Sequence, residues 1–223
     1  MTDASVRQTG YRFNSYICFA IALSIYGTDG LALVALLAGF WVPISNALAV
    51  ADLVKSGADK GHKAGPLEVI ASICKNPLIV GTLGGLAANL AGTFYGFKMP
   101  EFVMDLFGSL GSASVATALM AIGAGLAVED FRRYAKLIAL STVQRLIVLP
   151  AVACIVGLVL QFNDVELGAL MCYAVVPTAN SCYIMAVRMG GNGPVVSDLT
   201  SVEVIASLAT IPAWMSLLAW LAS

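Results

Sequence analysis

Arg145, Glu203 and two Asn-Ser pairs are the groups here whose chemistry stands out, because each lies in or beside an apolar run. Arg145 sits within STVQRLIVLPAV, and Asp198 and Glu203 lie in the last apolar stretch. An arginine inside a membrane is costly unless an anion or water meets it. Asp198 and Glu203 are the acids on offer, and Glu203 is also a candidate proton- or cation-carrying coupling carboxylate. The structural alternative is an arginine that snorkels to the interface. In Val176-Pro177-Thr178-Ala179-Asn180-Ser181, Pro177 removes a backbone donor and crowds the carbonyl one turn back. Thr178, Asn180 and Ser181 then bring polar groups to the same depth. A kinked helix whose freed carbonyl meets a hydroxyl is the bland explanation, and a binding site is the sharp one.

The second Asn-Ser pair has a counterpart. Asn14-Ser15-Tyr16-Ile17 and Asn180-Ser181-Cys182-Tyr183-Ile184 each open an apolar half-helix that ends in glycine, Gly27 or Gly190. Each is followed by a turn and a long helix with an internal proline, Pro43 or Pro212. A half-helix starting inside a membrane presents unpaired N–H groups and the positive end of its dipole to its surroundings. Two such starts running in opposite directions would suit a small carboxylate. The expected substrate-binding set is Asn14, Pro177, Thr178, Asn180, Ser181 and Arg145, with no catalytic residue, metal ligand or cofactor.

These groups must be positioned by membrane helices. Hydrophobic residues make up 59% of the 223 and charged residues 11%, and the mean hydropathy is +0.88. That is too little charge to cover a water-soluble domain. The net charge of -1 gives no electrostatic reason to bind nucleic acid. Five scattered cysteines, Cys18, Cys74, Cys154, Cys172 and Cys182, lack disulfide or zinc spacing and read as small fillers. His62 lies in a Gly/Lys loop without a partner nearby, and the N-terminal stretch lacks the features of a signal peptide.

Seven apolar segments follow: Phe13 to Tyr26, Leu31 to Val54, Pro77 to Phe94, Pro100 to Val128, Leu137 to Leu160, Leu167 to Val187 and Val195 to Leu221. Helices alone satisfy their own backbone groups in hydrocarbon. With Val54 to Asn76 cytoplasmic, Lys55, Lys60, Lys63, Lys75, Arg132, Arg133, Lys136 and Arg188 all fall on that side, and Ser223 falls outside. That asymmetry fits the positive-inside rule. Small residues such as Gly81, Gly85, Gly108 and Gly111 would let helices pack closely.

The run RQTGYRFNSYICFAIALSIYGTDGLALVALLAGFWVPISN resembles the bacterial, malonate-carrier branch of the auxin efflux carrier family. NPLIVGTLGGLAANL, LGSASVATALMAIGAGL, QRLIVLP and VVPTANSCYIMAVRMG extend the resemblance from Arg7 to the end. It implies an all-α, polytopic inverted-repeat transporter with broken crossover helices, one crossover at Asn14 and the other at Pro177 and Asn180. The chain would lack the family's first three and a half helices and be truncated to about seven spanning segments. Residues 1–76 would close the first repeat and residues 77–223 form the second. The implied function is secondary transport of malonate-like or auxin-like acids across the inner (cytoplasmic) membrane, as a multi-pass protein. Its partners would be the organic anion, the lipid bilayer and, as an option, a second copy in a homodimer. The alternative is a transport-inactive fragment or a structural membrane subunit. A membrane enzyme is disfavoured by the lack of HExxH, G-x-S-x-G or paired intramembrane aspartates. A passive channel would need a continuous polar helix face, which these segments lack.

Overall fold

A computed structural model of the chain describes residues 2–56, 77–96, 99–124 and 131–221. Its elements are α1 (Thr2–Tyr11), α2 (Ser15–Lys55), α3 (Pro77–Tyr95), α4 (Glu101–Ala124), α5 (Phe131–Val143), a π-helical turn (Gln144–Val148), α6 (Leu149–Val159), α7 (Asp164–Ala174), α8 (Ser181–Arg188) and α9 (Gly193–Leu221). Among the described residues the regular structure is entirely helical. Three helical stretches are long and apolar enough to cross a membrane: Thr2–Leu53, Phe131–Val159 and Gly193–Leu221. Much of their surface is uncovered: Leu23, Phe40, Ile155, Val159, Leu208 and Trp220 are all exposed. Apolar surface on that scale belongs in lipid or against other helices. Residues 57–76, with His62, Cys74 and most of the charge expected there on the cytoplasmic side, lie outside the described residues, as do Lys98, residues 125–130 and Ser223.

One boundary departs from the sequence reading. The first helical residues were expected at Phe13, yet the chain is helical from Thr2. Although α1 is polar, Ser5, Gln8 and Thr9 are buried. Polar partners make that burial tolerable: Gln8 Nε2 donates to the Cys182 carbonyl at 3.1 Å, and Asn192 N donates to Ser5 Oγ at 2.9 Å. A hydropathy window cannot detect a helix held by such pairings. At Gly27, where the first half-helix was expected to end, two helices meet across a kink within the Ser15–Lys55 run. Gly27 has φ 62 and ψ -150, a region essentially open only to glycine. Gly27→Ala is therefore expected to destabilise the protein by about 1–3 kcal/mol. A lowered thermal midpoint in detergent would register the loss, and an unchanged midpoint would mean that the kink relaxes at no cost.

The largest packed interface lies between α2 and α7. Cys18, Ala22, Val34 and Ala38 are buried together with Ala169, Met171, Cys172 and Ala174. Small side chains bring the two backbones close, as packing within lipid requires. Gly168 shows how tight the fit is, since a Cβ there would stand 2.2 Å from Tyr26 Cζ. The helix start at α7 is fixed by a capping box: Asn163 Oδ1 accepts from Val165 N and Glu166 N, while Glu166 Oε2 accepts from Asn163 N. In contrast, α3 and α4 lie against α2, and a Cβ built on Gly84, Gly85, Gly108 or Gly111 would meet nothing within 4 Å.

Candidate functional site

The helical path stops at residues 12–14 and again at residues 175–180, and these two stretches meet. Asn14 N donates to the Pro177 carbonyl at 2.9 Å. Phe13 packs edge-on against Tyr173, ring centroids 4.6 Å apart, and Trp41 approaches the same ring from 6.5 Å. Each interruption exposes backbone groups that a continuous helix would have paired, so the site can be built by asking where those groups go.

The end of α1 has an answer for every carbonyl. Gln8 O accepts from Arg12 N at 3.2 Å. Thr9 O accepts from the Thr178 hydroxyl. Gly10 O accepts from Arg145 Nη1 at 3.4 Å, and Tyr11 O accepts from Trp41 Nε1 at 2.8 Å. Three of these four donors come from other elements, so the break is locked by tertiary contacts. Thr178 Oγ1 also reaches the Arg12 carbonyl at 3.3 Å.

Arg145 ties the two interruptions together. It is 2% exposed, so its head stays inside the protein. Besides Gly10 O, its Nε donates to Val176 O at 3.0 Å, where α7 gives out. Both acceptors stand at helix C-terminal ends, where the dipole favours a cation. The π-helical turn at Gln144–Val148 carries this arginine, and such turns often occur at functional positions. Just beyond it, Pro150 has no N–H to offer Leu146 O, and Trp214 Nε1 donates to that carbonyl at 2.9 Å.

Glu203 supplies the negative charge. It is fully buried, its Oε2 accepts from Thr178 N at 2.8 Å, and it interacts electrostatically with Arg145. Its Oε1 has no hydrogen-bond partner among the described residues, and neither does Arg145 Nη2. Asp198, the other acid considered for Arg145, is buried on the same helix.

The two Asn residues are placed differently. Asn14 is 2% exposed and its Oδ1 accepts from Ile17 N at 3.3 Å, closing the first turn of α2. Asn180 precedes α8 without capping it by its side chain, and its buried Oδ1 has no hydrogen-bond partner among the described residues. Ser181 Oγ accepts from Arg12 Nη2 at 2.9 Å.

Sequence reasoning passed over Arg12 and Asn46. Arg12 is 5% exposed and donates to Asn46 Oδ1 at 2.8 Å and Gln8 Oε1 at 3.3 Å as well as to Ser181. The signal for Asn46 was available: Ser45-Asn46 follows Pro43 by less than a turn inside an apolar run. Arg12 carried none, because a cation before an apolar segment reads as an interfacial flank. Tyr11 adds a tie to the far end of α2, donating to Asp52 Oδ2 at 3.1 Å. A separate cavity of about 230 Å³ is lined by Tyr26, Asp164, Leu167, Met215 and Leu218 among others, and none of the candidate residues lines it. Among the described residues no group of histidine, cysteine and acidic side chains is placed to hold a metal ion.

Comparison with known proteins agrees with a membrane-embedded assembly of this kind. The chain is 29% identical over 160 residues to the uncharacterized transporter YfdV of Escherichia coli K12, covering 72% of this chain and 49% of that protein. The same identity and coverage hold for the YfdV proteins of Escherichia coli O157:H7 and Shigella flexneri. The chain thus spans about half the length of the curated relatives it matches. The profile of the family described as membrane transport protein matches residues 66–215. On that match the chain belongs to the membrane transport protein family of the auxin efflux carrier type.

Proposed function

We propose that this protein is a secondary transporter of small organic anions, carboxylates of the malonate or auxin type, in the cytoplasmic (inner) membrane. The supporting observation is the meeting of the two interruptions, where Asn14 N bonds Pro177 O beside the buried Arg145 and Arg12. On this reading α1–α2 and α7–α8 are the broken crossover helices of an inverted repeat, with residues 1–76 and 77–223 on either side of the repeat boundary. Asn14, Pro177, Thr178, Asn180, Ser181 and Arg145 shape the anion site, and Glu203 is the coupling carboxylate. Helix starts that face one another at membrane depth favour an anion through N–H groups and dipole together. The basic side, with Arg132, Arg133 and Lys136, faces the cytoplasm. A second copy of the chain is a partner that the reading allows.

Flux into proteoliposomes tests the proposal. Labelled malonate and labelled indole-3-acetate should enter saturably, and unlabelled substrate should compete. Uptake no greater than in protein-free vesicles for every organic anion tried would sink the reading.

A further inference from the structure

Arg12 and Arg145 are both buried, yet they are satisfied in different ways. Arg145 donates to two helix-end carbonyls and lies within the electrostatic reach of the Glu203 carboxylate. The Arg12 guanidinium instead donates to Asn46 Oδ1, Ser181 Oγ and Gln8 Oε1, each a neutral oxygen. Neutral acceptors return only part of what a cation loses on leaving water. A carboxylate would return more, because charge-assisted bonds are shorter and roughly twice as strong, and guanidinium matches it in two-pronged geometry.

The neighbours are oriented for such an exchange. Arginine can only donate, so the Asn46 oxygen must face it and the Asn46 amide nitrogen must point elsewhere. That nitrogen, on a side chain 2% exposed, has no hydrogen-bond partner among the described residues. Ser181 Oγ accepts from Arg12, which leaves its own proton free to donate to a third group. Next to Ser181 in the chain, Asn180 holds a buried oxygen with no partner among the described residues, an acceptor for any hydroxyl or N–H that accompanies the anion.

We infer that Arg12, Asn46 and Ser181 form a subsite that takes one carboxylate group of the substrate. The inference rests on the transport reading above and assigns the anion's charge to Arg12, with Arg145 kept to the two helix-end carbonyls it holds. One carboxylate suffices here, so the site should accept monocarboxylates and reject their neutral amides.

The test is equilibrium binding to the purified protein in lipid nanodiscs, with labelled indole-3-acetate and labelled indole-3-acetamide as a matched pair. The wild-type protein should bind the acid and discriminate strongly against the amide. Arg12→Gln should weaken acid binding roughly 10- to 150-fold, the value of a hydrogen bond to a charged group, while leaving the amide unchanged. The acid-to-amide preference is the deciding readout, because a merely structural arginine would not move it selectively. Asn46→Asp offers a variant that does not empty the site: its carboxylate would pair with Arg12 and fill the subsite from within. That protein should stay folded and lose acid binding. Acid affinity within twofold of wild type in either folded variant would overturn the assignment. Failure of the wild type to bind any organic anion would instead remove the transport reading on which it rests.

Discussion

Replacing Arg145 by leucine is expected to lower stability by about 1–3 kcal/mol for each buried carbonyl left without its donor. The substitution would strip Gly10 O and Val176 O of a donor and remove a positive charge whose field reaches the Glu203 carboxylate. Unfolding in mixed micelles measures the loss. The Glu203→Gln background separates its parts, because glutamine keeps an oxygen for Thr178 N and discards the charge. In that background Arg145→Leu should cost less, with a coupling of about 0.5–3 kcal/mol between the two sites. A cost below about 1 kcal/mol in the wild-type background would mean that the arginine is held no more firmly than an interfacial one.

Much of the fold was legible because membrane helices announce themselves by composition. Phe131–Val159 and Gly193–Leu221 lie within a few residues of the segments read from hydropathy. The stop at 175–180 was legible too, since Pro177 and three polar neighbours cannot continue an apolar helix unaided. What escaped was whatever depends on a partner distant in sequence. α1 is a polar decapeptide by composition, and partners distant in the chain, Cys182, Asn192, Thr178, Trp41 and Arg145 among them, make it a buried helix. Arg145 could be singled out from its apolar surroundings, but not its duty: the carbonyls that it meets lie 135 and 31 residues away along the chain. The symmetric pairing expected of Asn14 and Asn180 came from a shared motif. A shared motif does not compel shared contacts, and one amide caps its helix while the other has no partner for its oxygen among the described residues.

Glu203→Gln is expected to abolish gradient-driven accumulation while leaving substrate exchange in place. The carboxylate has two oxygens with different duties: Oε2 holds Thr178 N at 2.8 Å, and Oε1 has no hydrogen-bond partner among the described residues. Glutamine reproduces the first with its carbonyl oxygen and sets an amide nitrogen in place of the second, so the backbone at Thr178 stays anchored. It can neither take up and release a proton nor offer the negative charge that holds a cation, and a coupling group must do one or the other. The measurement uses proteoliposomes in two modes. In counterflow, with substrate on both sides and no imposed gradient, the variant should exchange label at a rate within a few-fold of wild type. With an imposed pH or sodium gradient, wild type should concentrate the anion while the variant only equilibrates it. Undiminished accumulation by the variant would remove Glu203 from the coupling step. Loss of counterflow as well, in a protein still folded by circular dichroism, would place Glu203 in the holding of the interruption itself, since Thr178 also grips the end of α1 through Thr9 O.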